Sequence, residues 1–200
     1  MLEAILCSLL LICGGPSPSA YNGGLPSYEQ TASYAVPIIQ RWEGTGPQVA
    51  CGRSASGVCY QAYLDTIAEP DVPTIGHGQT LLFRSDGSLD RPVRMGDVLT
   101  AEEAHRQFSI GLRVQYWMPY RDCLTADSVA PQTDGAFLSL TWNIGRGAVC
   151  GSTALRRLNA GDIRGACEAL TWWNRAGGRV VRGLVNRRAD EHRLCLEGAA

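Results

Sequence analysis

The sequence predicts an α+β fold, mainly α, in which a small β-containing front portion precedes a helical body. Three observations carry that expectation. A glycine- and serine-rich stretch, residues 44–59, is followed by two short extended segments. From Thr100 onward, apolar residues recur at helical spacing behind recognisable caps. Across 200 residues the composition is 45% hydrophobic and 18% charged, which supplies a packed core and excludes a disordered chain.

Taken in chain order, residues 1–20 read as an export segment. An apolar run from Ala4 to Cys13 precedes Gly14-Gly15-Pro16-Ser17-Pro18-Ser19-Ala20, the order of a secretory signal, with Glu3 where a positive charge is usual. The run is shorter than the roughly 20 residues a spanning helix needs. Residues 21–30 are rich in turn formers and read as a linker. A first helix is expected from Thr31 to about Trp42, since Tyr34, Ile38, Ile39 and Trp42 share a face, with Gly44 and Gly46 stopping it. Glu43 therefore sits at a helix C-terminus. Residues 44–59 read as an irregular loop, and Tyr60–Tyr63 and Val72–Ile75 as extended segments around a turn at Ala68-Glu69-Pro70-Asp71.

Thr100-Ala-Glu-Glu103 has the spacing of a capping box, followed by an apolar face of Ala101, Ala104, Phe108 and Leu112. Further helices are expected over Thr133–Asn143, Thr153–Leu158, from an Asp162 cap through Leu170, and over Gly183–Leu196. Trp172 and Trp173 read as core residues, and Arg187 with Glu191 as an i,i+4 ion pair.

All 18 basic residues are arginine, against 19 acids, so the net charge of −1 argues against binding nucleic acid through bulk charge. The distribution is uneven. Residues 1–144 hold 8 Arg and 14 acids, whereas residues 145–200 hold 10 Arg and 5 acids, so the last quarter reads either as a face for an anionic partner or as a solvated helical surface. Of eight cysteines, Cys7 and Cys13 lie in the leader, leaving Cys51, Cys59, Cys123, Cys150, Cys167 and Cys195, an even set that suits disulfides in an oxidising compartment. Proximity in the chain suggests Cys51–Cys59 and Cys150–Cys167. No C-x-x-C or H-E-x-x-H spacing is present, so neither a metal site nor a cofactor is expected.

Hydrolysis of a glycosidic bond needs one protonated carboxyl to assist the leaving oxygen and one ionised carboxyl to activate water or attack the sugar. Glu43, in Arg41-Trp-Glu43, and Asp65, in Ala62-Tyr-Leu-Asp65, are candidates for these roles, followed by Pro73-Thr74-Ile-Gly-His-Gly78. These three segments resemble the catalytic region of the phage-type lysozymes, glycoside hydrolase family 24: a glutamate ending the first helix, then A-Y-x-D, then T-I-G-x-G-H. A second, more specific match runs through Trp142-Asn-Ile-Gly145, Cys150 to Asn159, Trp172-Trp173, Ala176-Gly-Gly178 and Gly183 to Glu191. Coverage extends from about Thr31 to Leu196.

The resemblance implies a two-lobed lysozyme-like fold, with a β-hairpin front lobe at residues 31–99 and a helical C-terminal lobe at 100–200. It implies Glu43 as general acid, Asp65 as the carboxylate that positions the attacking water, Thr74 as the hydroxyl sharing that water, and Asn143 as a substrate contact. The implied substrate is bacterial peptidoglycan, cut between N-acetylmuramic acid and N-acetylglucosamine by an exported, monomeric endolysin. Some relatives carry a signal-anchor-release leader, so residues 1–20 are either a cleaved signal or a transient membrane anchor whose Cys13 exchanges with Cys51 or Cys59.

Three departures from the family pattern stand out. Glu43 and Asp65 are 22 positions apart, with residues 44–59 as an apparent insertion. Asp65 and Thr74 are also further apart than in the family, which makes Asp71 a rival second carboxylate. Gln79 replaces the histidine of G-x-G-H, and His77, two positions earlier, reads as structural. Two alternatives stay open: a lytic transglycosylase, which needs a single catalytic acid, and, because of the altered spacing, a non-catalytic cell-wall-binding relative.

Overall fold

The structure is a computed structural model that describes residues 23–66 and 71–199. It has the α+β, lysozyme-like architecture, about half helical with small antiparallel sheets. The chain divides into two compact units, one formed by residues up to Ile39 together with Tyr120 onward, the other by Gln40–Pro119. The leader lies outside the described residues.

In the Gln40–Pro119 unit, strands β1 (Gln48–Ala50), β2 (Val58–Gln61) and β7 (Val98–Thr100) form an antiparallel sheet in the order β1-β2-β7. Two further antiparallel pairs are β3 (Tyr63–Asp65) with β4 (Val72–Thr74), and β5 (Leu81–Phe83) with β6 (Leu89–Pro92). Residues 44–59 are thus not an irregular loop. They build the β1-β2 hairpin, whose ends are joined by the Cys51–Cys59 disulfide at a Cα separation of 5.7 Å. The missed strands are short and lack strict alternation, so periodicity gave little signal.

Helix α2 (Ala101–Gly111) begins at the expected capping box: the Glu103 amide donates to Thr100 Oγ1 at 3.1 Å and the Thr100 amide to Glu103 Oε2 at 2.8 Å. A π-helical segment (Leu112–Trp117) continues it. The Gln107 side chain exchanges two hydrogen bonds with the backbone of Phe83, at 2.7 and 2.9 Å, and Ala104 packs with Tyr60, Ala62, Ile75, Leu82 and Val93. These contacts place α2 with the strands, inside the Gln40–Pro119 unit.

In the other unit lie the first part of α1 (Tyr28–Glu43), α3 (Met118–Arg121) from Tyr120, α4 (Pro131–Ile144), α5 (Arg146–Cys150), α6 (Thr153–Asn159), α7 (Ile163–Leu170) and α8 (Arg182–Glu197). Helix α1 starts three residues earlier than expected. The described part of the expected linker is tied down, since the Gly24 amide donates to Ser128 Oγ at 3.0 Å and the Val129 amide to the Gly24 carbonyl at 2.9 Å. Asp162 caps α7 as expected, its Oδ1 accepting from the Gly165 amide at 2.9 Å.

Helix α4 is buried along most of its length and carries two polar centres. Asp134, fully buried, accepts from Thr31 Oγ1 of α1 and from the Tyr120 hydroxyl at 3.0 Å, and pairs with Arg121 at 3.2 Å. Ser139 donates at 2.7 Å to Glu191, which is also paired with Arg187 at 3.2 Å and Arg188 at 2.9 Å, all three buried. Burial pulls the Arg188 guanidinium down to about 10 against the opposing pull of Glu191. The expected i,i+4 pair is therefore present and part of a buried network.

The expected Cys150–Cys167 bond is not formed. Cys150, at the end of α5, pairs with Cys123, and Cys167 pairs with Cys195 of α8, at Cα separations of 5.7 and 5.6 Å. Cys167 and Cys195 lie on the buried faces of α7 and α8, so helix packing overrode nearness in sequence. The region after Thr100 is also not wholly helical: β8 (Arg175–Ala176) and β9 (Arg179–Val180) form a hairpin. Helix α7 ends at Leu170, so Trp172 falls in the turn beyond it and is 57% exposed, contrary to the expected core position, while Trp173 packs against the core.

Gly135 marks where α1 crosses α4. A Cβ there would lie 2.7 Å from Tyr34 Cβ and 3.2 Å from the Thr31 carbonyl oxygen. Gly135→Ala is expected to lower stability by about 1–3 kcal/mol, the usual cost of overpacking. Urea unfolding of parent and variant measures it; equal midpoints would mean that α1 moves aside without cost.

Candidate active site

The candidate residues Glu43, Asp65 and Thr74 all lie in the Gln40–Pro119 unit. Glu43 is the last residue of α1 and is exposed. The helix stops there because Gly44 adopts φ +68°, a left-handed conformation that side chains oppose, and its amide donates to the Gln40 carbonyl at 3.1 Å.

The chain beyond Glu43 is fastened to the 75–79 loop. His77 Nδ1 donates to the Gly44 carbonyl at 2.7 Å, and the Gly46 amide donates to the Gly76 carbonyl at 2.8 Å. Ile75 and Gln79 exchange backbone hydrogen bonds at 2.9 and 3.1 Å, which closes a tight turn with positive φ at Gly76 and Gly78. Gln79 fills that turn: its Oε1 accepts from the His77 amide at 2.7 Å and its Nε2 donates to the Ala104 carbonyl of α2 at 3.0 Å. A glutamine here supplies both a donor and an acceptor, and a buried turn needs both.

The β3-β4 register places the remaining candidates. Tyr63 faces Thr74 and Asp65 faces Val72, so with the strand period of two Tyr63, Asp65 and Thr74 share one face of the hairpin. Asp71 precedes β4, is exposed, and by alternation projects to the other face. Thr74 is buried and its hydroxyl donates to the Val72 carbonyl at 3.1 Å, leaving its lone pairs to accept.

Tyr63 connects the set. Its ring packs on Gly46, where a Cβ would approach Tyr63 Cε1 to 2.7 Å. Its phenol is raised above its ordinary value by burial first, then by the negative charges of Asp65 and Glu43. Both carboxylates therefore act on one hydroxyl. Tyr116, on the π-helical segment, is raised likewise by burial and then by Glu43. Neither tyrosine was singled out from the sequence. Tyr63 lies inside A-Y-x-D, where the pattern points to the aspartate, and Tyr116 lies in no motif.

Asn143 belongs to the other unit, near the end of α4, half-buried, with its Oδ1 accepting from Arg188 Nη2 at 2.9 Å.

With this geometry in place, comparison with known proteins defines the class. A family model described as phage lysozyme matches residues 53–191, taking in Asp65, Thr74 and Asn143 and starting after Glu43. The SAR-endolysin of Enterobacteria phage P21 is 34% identical over 157 residues, covering 77% of this chain and 84% of its own length. Among solved structures, a P22 lysozyme mutant superposes with a TM-score of 0.62 at 29% identity, covering 81% of this chain and 94% of its own. The muramidase domain of SpmX from Asticaccaulis excentricus gives a TM-score of 0.61 at 25% identity, with the same coverage. The chain belongs to the phage lysozyme family. It is a glycoside hydrolase of the lysozyme type, a phage-type endolysin.

Burial, followed by the nearby His105, holds the His77 imidazole below its ordinary value, against the opposing effects of the Gly44 carbonyl and of Glu43. In the window between its lowered folded value and the usual value near about 6.5, the unfolded chain binds the proton and the folded chain does not. Stability from this group is therefore complete above that window and lost as the pH falls through it. Thermal melts between pH 7 and pH 5 should show a decline that is smaller in His77→Asn, which keeps a donor for Gly44 but does not titrate. Parallel declines would remove His77 as the source.

Proposed function

We propose that Glu43 is the general acid, that Asp65 orients the attacking water, and that Thr74 accepts a hydrogen bond from that water. The observation that carries this reading is the arrangement around Tyr63: Asp65 beside it on β3, Thr74 opposite it on β4, and Glu43 acting on the same phenol. One carboxyl at a helix end and one on a hairpin suit the two roles that glycoside hydrolysis requires. Protonation of the leaving oxygen by Glu43 and attack of water from the Asp65 side would cleave the β-1,4 bond between N-acetylmuramic acid and N-acetylglucosamine, with inversion. Asn143, its carbonyl held by Arg188, has its amide hydrogens left to meet the glycan. The enzyme works after export, on the host cell wall. The SAR-endolysin names of the relatives support the signal-anchor reading of residues 1–20.

Peptidoglycan digestion followed by mass spectrometry tests the chemistry. Glu43→Gln is expected to lower turnover by about a hundred- to ten-thousand-fold, the usual worth of a positioned acid. Asp65→Asn should be far more damaging than Asp71→Asn, because Asp71 lies outside the register that puts Tyr63, Asp65 and Thr74 on one face. Reducing-end products are expected; anhydro-sugar products from the Asp65→Asn protein would replace this reading with a transglycosylase. N-terminal sequencing of active enzyme distinguishes a retained leader from cleavage near Tyr21.

A further inference from the structure

Between Glu168 and Asp190 the chain runs through 21 residues with five arginines and no acid. Two of them, Arg187 and Arg188, are consumed by the buried Glu191 network. The other three, Arg175, Arg179 and Arg182, are exposed. The acids that bound the run are engaged elsewhere, Glu168 with His192 and Asp190 with Arg193.

These arginines sit on a shaped element. Gly177 and Gly178, with φ of +54° and +74°, make the two-residue turn that matches strand twist, and Arg175 pairs with Val180 across the hairpin. The Val181 amide donates to the Asn174 carbonyl at 2.9 Å, and Val185 donates to the Val181 carbonyl at 3.0 Å, wiring the hairpin into the first turn of α8. Apolar side chains are exposed beside the charges. Val180 is 56% exposed, Val185 40%, and Trp172, with Arg157 stacked 5.4 Å from its ring, 57%. Single exposed hydrophobics need no explanation, but three on one short, basic stretch of sequence without acids suit an interaction surface.

We propose that the β8-β9 hairpin and the start of α8 dock onto an anionic phospholipid surface. Arginine forks pair with lipid phosphates, Trp172 suits the headgroup level, and the valines enter the acyl boundary. Valine offers no hydrogen bond to a sugar hydroxyl, so the same surface fits a wall polysaccharide less well. A second, folded contact of this kind would hold the catalytic chain at the membrane face of the wall independently of residues 1–20.

Tryptophan quenching by vesicles with brominated acyl chains tests this on the full chain, every variant carrying the same leader. With phosphatidylethanolamine–phosphatidylglycerol vesicles, part of the quenching is expected to vanish in Trp172→Phe. In the combined Arg175→Gln, Arg179→Gln, Arg182→Gln protein, docking should weaken on the order of a hundred-fold, at about fivefold per charge, and the Trp172-dependent quenching with it. Pure phosphatidylcholine, or salt that cuts the screening length well below about 8 Å, should also remove it. Unchanged cleavage of soluble glycan oligosaccharides certifies that the variants are folded. Equal quenching in parent and Trp172→Phe, or in parent and the triple variant, would overturn the proposal. So would loss of binding by the triple variant to purified sacculi with its vesicle quenching intact, which would assign the surface to wall polymer.

Discussion

The carboxylate of Asp134 is the interaction on which the helical unit depends. It is fully buried and takes partners from α1, through Thr31, and from α3, through Tyr120 and Arg121. A buried charge is tolerated only when paired and hydrogen-bonded, so these side chains are not free to choose other positions. One residue further along α4, Gly135 lets α1 approach backbone to backbone. Together they fix the part of α1 that belongs to this unit.

The site is assembled by backbone hydrogen bonds more than by side-chain packing. Gly44 ends α1, His77 and Gly76 take hold of the next residues, and Gln79 ties their turn to α2. The Gln79 amide keeps this turn satisfied, while His77 holds the Gly44 carbonyl from inside the loop. The 22-residue spacing from Glu43 to Asp65 is absorbed by the β1-β2 hairpin, closed by Cys51–Cys59, without separating the two carboxylates from their common neighbour Tyr63.

Arginine, the only strongly basic residue type, serves two opposite purposes within one helix and its approach. Arg187 and Arg188 are buried against Glu191, where removing the acid would leave two uncompensated charges. Arg182, at the start of the same helix, is exposed, as are Arg175 and Arg179 before it. The sequence separates the two groups only through Glu191, which lies within reach of the former.

Local chemistry made much of the protein legible in sequence. The Thr100 capping box, the Asp162 cap, the glycine stop after Glu43 and the helical apolar faces depend on residues a few positions apart, and each lies where the pattern put it. The motifs naming Glu43, Asp65 and Thr74 are likewise local. What the tertiary structure decided involves partners far apart in the chain. It chose Cys123–Cys150 and Cys167–Cys195, turned the expected loop at 44–59 into a hairpin, exposed Trp172, and set Tyr63 under the influence of Asp65 and Glu43 and Tyr116 under that of Glu43. Disulfide choice, short-strand pairing and the burial of a given face are set by which helices and strands pack together, and that information is carried by no single stretch of sequence.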